Sequence, residues 1–186
     1  MIEKKLNSYF VQYQQQYPQT RLYGIFDGTK APMLWSDLED GVLLYDSLFR
    51  EVELKVALEK GAPYLVALDF EDEAQKEQSQ ALLLSMYGKN GAIFMATSLP
   101  FGALLTKMQD LFYVYNSEGE VGYLRFFWAT VFESIISQQK EETLFNFFYE
   151  MEGYWIENPL DMEEMYYYTI QNNTLQREKI INLEQC

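Results

Sequence analysis

Two short apolar segments, each containing special backbone residues, constrain the fold of this chain most. Residues 21–28 read RLYGIFDG, and residues 61–68 read GAPYLVAL. Their aliphatic, β-branched and aromatic residues predict two buried strands. The chain is therefore predicted to fold around a β-sheet.

The residues that bound these strands have distinct backbone roles. Asp27 and Gly28 form a turn pair that tolerates positive φ where the first strand ends. Gly61 is predicted to end a helix over residues 51–60. Pro63 stands at the first position of the second strand, where its missing N–H donor costs little.

Helices and strands alternate along the first 127 residues. Apolar residues at helical spacing predict an amphipathic helix over residues 2–16. Further helices are predicted over 73–87, ending at Gly88, and from Pro100 onward, with further strands at 92–97 and 121–127 and short strands or tight loops at 33–35 and 42–45. This alternation predicts an α/β or α+β fold with a mixed β-sheet flanked by helices.

The chain changes character at Trp128, after which aromatic residues become dense. Asp161 is a plausible cap for a last helix that would contain the run Tyr166, Tyr167, Tyr168. We therefore predict an α/β lobe over residues 1–127 and a smaller, aromatic-rich helical lobe over residues 128–186. A chain of 186 residues is long enough for the two to form one compact domain.

The aromatic residues of the predicted second lobe are candidates for a partner-binding surface. Three consecutive tyrosines point in different directions around a helix, so at least one of them should be exposed. Exposed tyrosine and tryptophan are typical of protein interfaces. The candidate partner-binding residues are Phe148, Tyr154, Trp155, Tyr166 and Tyr167, and packing in the lobe's core is the alternative for most of them.

Composition excludes several classes of function. With 14 basic and 28 acidic residues the net charge is −14, which disfavours binding to nucleic acid or to anionic membranes. Histidine is absent and Cys186 is the only cysteine, which excludes a Ser-His-Asp triad, an internal disulfide and a Cys-rich zinc site. We expect no catalytic residues, no metal and no cofactor, although a hydrolase that uses two carboxylates stays open.

Two charged residues lie in or at the end of predicted strands. Asp27 ends a buried strand, and we interpret it as a turn residue bonded to the backbone near Gly28 rather than as a catalytic acid. Arg125 lies within the predicted strand at 121–127. We expect it to pair with a buried or half-buried acid and to serve structure rather than chemistry.

The sequence shows no signal peptide and no apolar run near the ~20 residues that a membrane span needs. We therefore expect a cytoplasmic protein.

The order and spacing of these segments resemble one bacterial family, the domain of unknown function DUF4123, which is linked to adaptors or chaperones of type VI secretion systems. The resemblance covers roughly residues 20–150. Its structural motif residues are Asp27, Gly28, Gly61, Pro63 and Arg125, joined by the segment 47–49, the strand at 91–98 and the helix from Pro100.

One segment departs from the family pattern. After the arginine and the aromatic pair, family members usually carry Asp-Pro-Arg, whereas this chain has Trp128, Ala129 and Thr130. A role attached to that loop is therefore not carried over.

The resemblance implies a non-enzymatic adaptor that holds a toxic effector and loads it onto the VgrG spike tip. Its expected partners are an effector and a VgrG-like spike protein, with no nucleic acid and no membrane. A cleft between the two predicted lobes would hold a segment of the effector, and the aromatic C-terminal lobe would anchor it. The alternative is an acidic immunity protein that inhibits a cognate toxin.

Overall fold

The structure is a computed structural model that describes residues 2–50 and 60–181. The helices are α1 (Ile2–Gln16), α2 (Leu34–Glu39), α3 (Glu73–Met86), α4 (Phe101–Phe112), α5 (Ala129–Ile136) and α6 (Glu141–Phe148). The strands are β1 (Arg21–Asp27), β2 (Tyr45–Ser47), β3 (Pro63–Leu68), β4 (Ala92–Thr97), β5 (Tyr113–Tyr115), β6 (Val121–Tyr123), β7 (Gly153–Asn158), β8 (Asp161–Gln171) and β9 (Thr174–Ile181).

Seven strands form one sheet in the order β2-β3-β1-β4-β7-β8-β9, while β5 and β6 form a separate pair. This arrangement confirms the α+β class. Every pairing in the described part of the chain is antiparallel, so the sheet is not mixed. Helix α3 connects β3 to β4, and these two strands run in the same direction. They do not form a parallel pair because β1 lies between them and runs antiparallel to both.

Several predicted elements are confirmed. The helix over 2–16 and the strands over 63–68 and 92–97 are present as predicted, and α3 ends just before Gly88, whose φ is +77°. The helix predicted over 51–60 lies outside the described residues except at its last position.

Two short predictions were wrong. Residues 33–35, predicted as a short strand or a tight loop, are the N-cap and first residues of α2, and the strand predicted over 121–127 is limited to β6. Beyond β6 the chain leaves the hairpin, and the side chains of Arg125 to Trp128 turn into the body of the protein.

The predicted last helix was also wrong. The helical character holds for α5 and α6, but β7, β8 and β9 form an antiparallel extension of the main sheet beside β4. Asp161 therefore begins a strand, and residues 166–168 lie in the middle of it. Side chains along β7 alternate between two cores, Tyr154 and Ile156 on one side and Trp155 on the other, so no polar face marks the strand in the sequence.

The sheet has a hydrophobic core on each face. One core contains apolar residues of α1, α2 and α3, and the other contains those of α4, α5 and α6. The central strand β1 contributes to both, with Leu22 and Phe26 on one face and Tyr23 and Ile25 on the other. The whole of β1 after Arg21 is therefore buried.

Trp155 joins the C-terminal strands to the first helix. Its ring stacks on Tyr167 at 4.5 Å between centroids and meets Phe10 and Tyr13 edge-on at 5.2 and 4.8 Å. Its indole N–H donates to the Tyr9 hydroxyl at 3.1 Å. This contact set attaches α1 to β7 and β8.

Replacing Trp155 with alanine should lower the free energy of unfolding by about 3–5 kcal/mol, because a fully buried aromatic ring is lost. Urea unfolding followed by circular dichroism measures the change. Leu160→Ala, in the almost fully exposed turn between β7 and β8, is the matched control and should change stability by less than about 0.5 kcal/mol. A Trp155→Ala variant as stable as this control would contradict the packing described.

Candidate functional site

The carboxylate of Asp27, at the end of β1, is completely buried and is bonded by four donors. Its Oδ2 accepts from Arg125 Nη1 at 3.1 Å and from Trp128 Nε1 at 2.7 Å. Its Oδ1 accepts from the Thr29 amide at 2.9 Å and from the Thr29 hydroxyl at 2.7 Å. Asp27 therefore fixes its own turn and the segment that precedes α5.

This cluster connects two residues that the sequence had singled out separately. Asp27 is bonded to backbone next to Gly28, as predicted, and the acid that pairs with Arg125 is Asp27 itself. The sequence reasoning missed Trp128 as the third member. The signal available was its position three residues after Arg125, where the family pattern is broken.

Trp128 also contacts two cations through its ring. The guanidinium carbon of Arg125 lies 5.0 Å from a ring centroid, and Nζ of Lys30 lies 5.5 Å away. Such cation–π contacts contribute about 0.5–1 kcal/mol each at partly exposed sites. Trp128 therefore bridges the turn after β1 and the start of α5.

The remaining motif residues hold the ends of β1 and β3 together. Asp27 stands opposite Pro63 in the strand register, and the Gly28 amide donates to the Ala62 carbonyl at 3.0 Å. A Cβ at Gly28 would lie 2.6 Å from the Lys60 carbonyl oxygen, so only glycine fits there. Gly61 lies in the turn that leads into β3.

A second buried carboxylate, Glu157 of β7, lies near this cluster. It accepts hydrogen bonds from the amides of Gly88 at 2.6 Å and Asn90 at 2.8 Å. The Asn90 side chain in turn accepts from the Ala129 amide at 2.6 Å, at the start of α5. Burial raises the pKa of the Glu157 carboxyl, and the two amide donors oppose that rise.

The raised pKa of Glu157 predicts a pH-dependent stability. Between about pH 4.5 and the raised pKa, Glu157 keeps its proton in the folded protein, whereas the unfolded chain has released it. The free energy of unfolding of the unchanged protein, minus that of Glu157→Gln, should therefore fall as the pH rises through this range. Above that pKa the difference should level off. Urea unfolding of both proteins between about pH 5 and pH 8 measures it; a constant or rising difference would contradict the prediction.

Replacing Asp27 with alanine should lower the free energy of unfolding by about 3 kcal/mol, because Arg125 and the Trp128 indole lose a buried acceptor. Asp110→Ala is the matched control, since Asp110 also pairs with an arginine, Arg50, but is exposed. That change should cost less than about 1 kcal/mol. Equal losses in the two variants, measured by urea unfolding, would show that burial of the Asp27 pair is unimportant.

The structure does not place the predicted partner-binding residues on an open surface. Tyr154 and Trp155 are fully buried and Phe148 is buried, so for these three residues the alternative of core packing holds and the exposed surface does not. Tyr166 and Tyr167 are half-buried on opposite sides of β8. Tyr154 and Trp155 are buried because β7 is covered on both faces, and Phe148 is buried because it lies on the side of α6 that faces the core.

An exposed aromatic pair lies instead on α6 and at its C-terminal end. The rings of Phe145 and Tyr149 stack with centroids 4.9 Å apart, and the two residues are 60% and 53% exposed. They are spaced i, i+4, which places them on one side of the helix. This aromatic pair was not among the residues that the sequence reasoning selected.

The pair forms a ridge between two grooves. One groove, of about 570 Å³, extends toward the turn between β8 and β9 and is lined by Leu144, Phe148 and Ile170 as well as the pair. The other, of about 470 Å³, separates α6 from α4 and is lined by Leu99 and Leu111 among others. The second groove is therefore lined by residues of both predicted lobes, 1–127 and 128–186.

The charged groups around these grooves are mainly acidic. Glu141 lines the first groove, and Asp110 and Glu150 line the second. Lys107 donates to the Asn146 carbonyl at 2.7 Å across the second groove, and burial lowers its pKa. The surface thus combines apolar walls with an acidic rim.

Within residues 2–50 and 60–181, no group of three or more acidic or cysteine side chains is placed to hold a metal ion. None of the helices described there is long and apolar enough to cross a membrane.

A family model described as "Domain of unknown function (DUF4123)" matches residues 22–144. The chain belongs to the DUF4123 family. The match includes Asp27, Arg125 and Trp128 and ends within α6, next to Phe145. No curated protein and no solved structure matches the chain. In this DUF4123 protein the matched region therefore contains the Asp27 cluster, while β7, β8 and β9 lie beyond it.

Proposed function

We propose that this protein is an adaptor that binds a type VI secretion effector and helps to load it onto a VgrG-like spike, acting by binding rather than by catalysis. The role comes from the resemblance to DUF4123 adaptors. The single observation that supports it best is the exposed Phe145–Tyr149 pair between two grooves.

Exposed stacked aromatic rings suit a binding role because tyrosine and phenylalanine are enriched in protein interfaces. Rings of this kind bury large apolar areas when a partner covers them, and their pre-formed stacking limits the entropy lost on binding. The grooves on either side can receive apolar side chains of a bound segment. The ridge therefore has the shape of an anchor for one partner.

We propose that the groove between α4 and α6 serves as the effector-holding cleft that was expected between the two predicted lobes. It combines Leu99 and Leu111 with Phe145 and Tyr149, and Asp110 and Glu150 stand at its rim. Acidic groups at a rim favour a basic partner and speed its association at low salt. We propose that this groove holds an apolar segment of the effector that is flanked by lysine or arginine.

Replacing Phe145 and Tyr149 together with alanine should reduce effector recovery at least about tenfold, because both anchoring rings are lost. The measurement is affinity purification of the tagged full chain from the bacterium that encodes it, with co-purifying proteins quantified by mass spectrometry. Leu160→Ala, which removes a still more exposed apolar side chain elsewhere, should leave recovery unchanged. Melting temperatures of all proteins should agree, because neither change touches a core.

The set of recovered proteins decides between the candidate roles. A toxin together with a spike protein supports the adaptor. A toxin alone, with protection of cells that carry the protein, supports the acidic immunity protein. Full recovery by the double variant, or no stable partner for the unchanged chain, would contradict the proposed role of the aromatic ridge.

A further inference from the structure

A second exposed apolar surface lies on the hairpin formed by β5 and β6. Tyr113 stands opposite Tyr123, and Tyr115 stands opposite Val121. Directly opposed residues of an antiparallel pair point to the same face, so these four side chains share one face of the hairpin. Val114, opposite Gly122, lies on the other face.

This face is anchored at its base and open toward its tip. Tyr123 stacks on Phe112 with centroids 5.1 Å apart and meets Phe49 edge-on at 5.2 Å, which joins it to the core around α4. Farther along the hairpin, Tyr115 is 64% exposed and Val121 is 51% exposed. The body of the protein therefore holds the hairpin in place while leaving its outer apolar side chains in solvent.

The tip of the hairpin is acidic, and hydrogen bonds to Asn116 close its turn. The side-chain oxygen of Asn116 accepts from the amides of Glu118 and Glu120, both at 2.9 Å, and Gly119 has a φ of +81° that closes the turn. Two exposed glutamates thus stand immediately beyond Tyr115 and Val121. A partner that covers the apolar face also meets this negative charge.

In the described part of the chain β5 and β6 pair only with each other, so each strand has an outer edge without a neighbouring strand. A two-stranded sheet is marginal by itself, and a third strand adds both main-chain hydrogen bonds and side-chain contacts. Peptides that add to a sheet edge are recognised in this way, with alternate side chains giving specificity.

We propose that this hairpin binds an extended segment of a partner protein, added as a third strand, whose apolar side chains alternate with lysine or arginine. The apolar side chains cover Tyr115, Val121 and Tyr123, and the basic ones meet Glu118 and Glu120. A second copy of this chain fits poorly, because it brings an identical acidic tip and a net charge of −14 to the same place. The assignment is independent of what the Phe145–Tyr149 ridge binds.

The test is an NMR titration of the ¹⁵N-labelled full chain with a synthetic peptide of alternating valine and lysine, beside a matched peptide of valine and glutamate. We expect shift changes centred on residues 113–123 with the lysine peptide only, weakened by added sodium chloride. The double variant Tyr115→Ser, Val121→Thr should bind about tenfold more weakly. Val114→Thr, on the opposite face, is the control and should bind within about twofold of the unchanged chain.

Several results would overturn the assignment. These are equal binding of the two peptides, shift changes at the Phe145–Tyr149 ridge with none at residues 113–123, equal weakening by Val114→Thr, or concentration-dependent self-association that Tyr115→Ser abolishes. Self-association would identify a second copy as the occupant of the hairpin. Because the probe is a defined peptide and the mapped residues are separate from the ridge, failure here leaves the adaptor proposal standing.

Discussion

The carboxylate of Asp27 carries a charge at a position that water does not reach, so protein groups have to supply all of its hydrogen bonds. Two come from its own turn and two from a segment about a hundred residues later. This requirement fixes where the chain passes between β6 and α5. The placement of α5, and with it the packing of α6 against the sheet, follows from that contact.

Helix α4 connects the two surfaces to which we assign partners. Helix α4 contributes a wall of the groove beside Phe145 and Tyr149, and its C-terminal end continues directly into the hairpin. Both surfaces are supported by the hydrophobic core that α4, α5 and α6 form on one face of the main sheet. A rigid support of this kind suits binding surfaces, because little ordering entropy is then lost when a partner arrives.

How far the sequence predicts this structure depends on whether local signals mark each element. The strands β1, β3 and β4 were predictable because glycine, proline and aspartate mark their ends. Strands β7 and β8 were not, because their aromatic residues fill cores on both faces and leave no period-two pattern. Such a strand can be told from a helix only by its partner, and β7 pairs with a strand more than 50 residues earlier.

The candidate sites show the same limit. Asp27 and Arg125 stood out as charged residues at or in apolar strands, but no local pattern reveals that they contact each other. Phe145 and Tyr149 had a usable signal, since α6 contains more aromatic residues than a single buried face holds. The sequence analysis instead selected Trp155 and its neighbours as candidates for exposed aromatic residues, because it predicted a helical lobe where β7 and β8 lie.

The position of β7 beside β4 also determines when the sheet can be completed during synthesis. Until residues 153–158 leave the ribosome, β4 has an open edge and α1 lacks the indole ring against which it packs. An unpaired apolar edge of this kind is prone to aggregation. A fragment cut to the matched span 22–144 would keep that edge permanently and would lose α1 as well, so both cores of the sheet would lack side chains that fill them in the full chain.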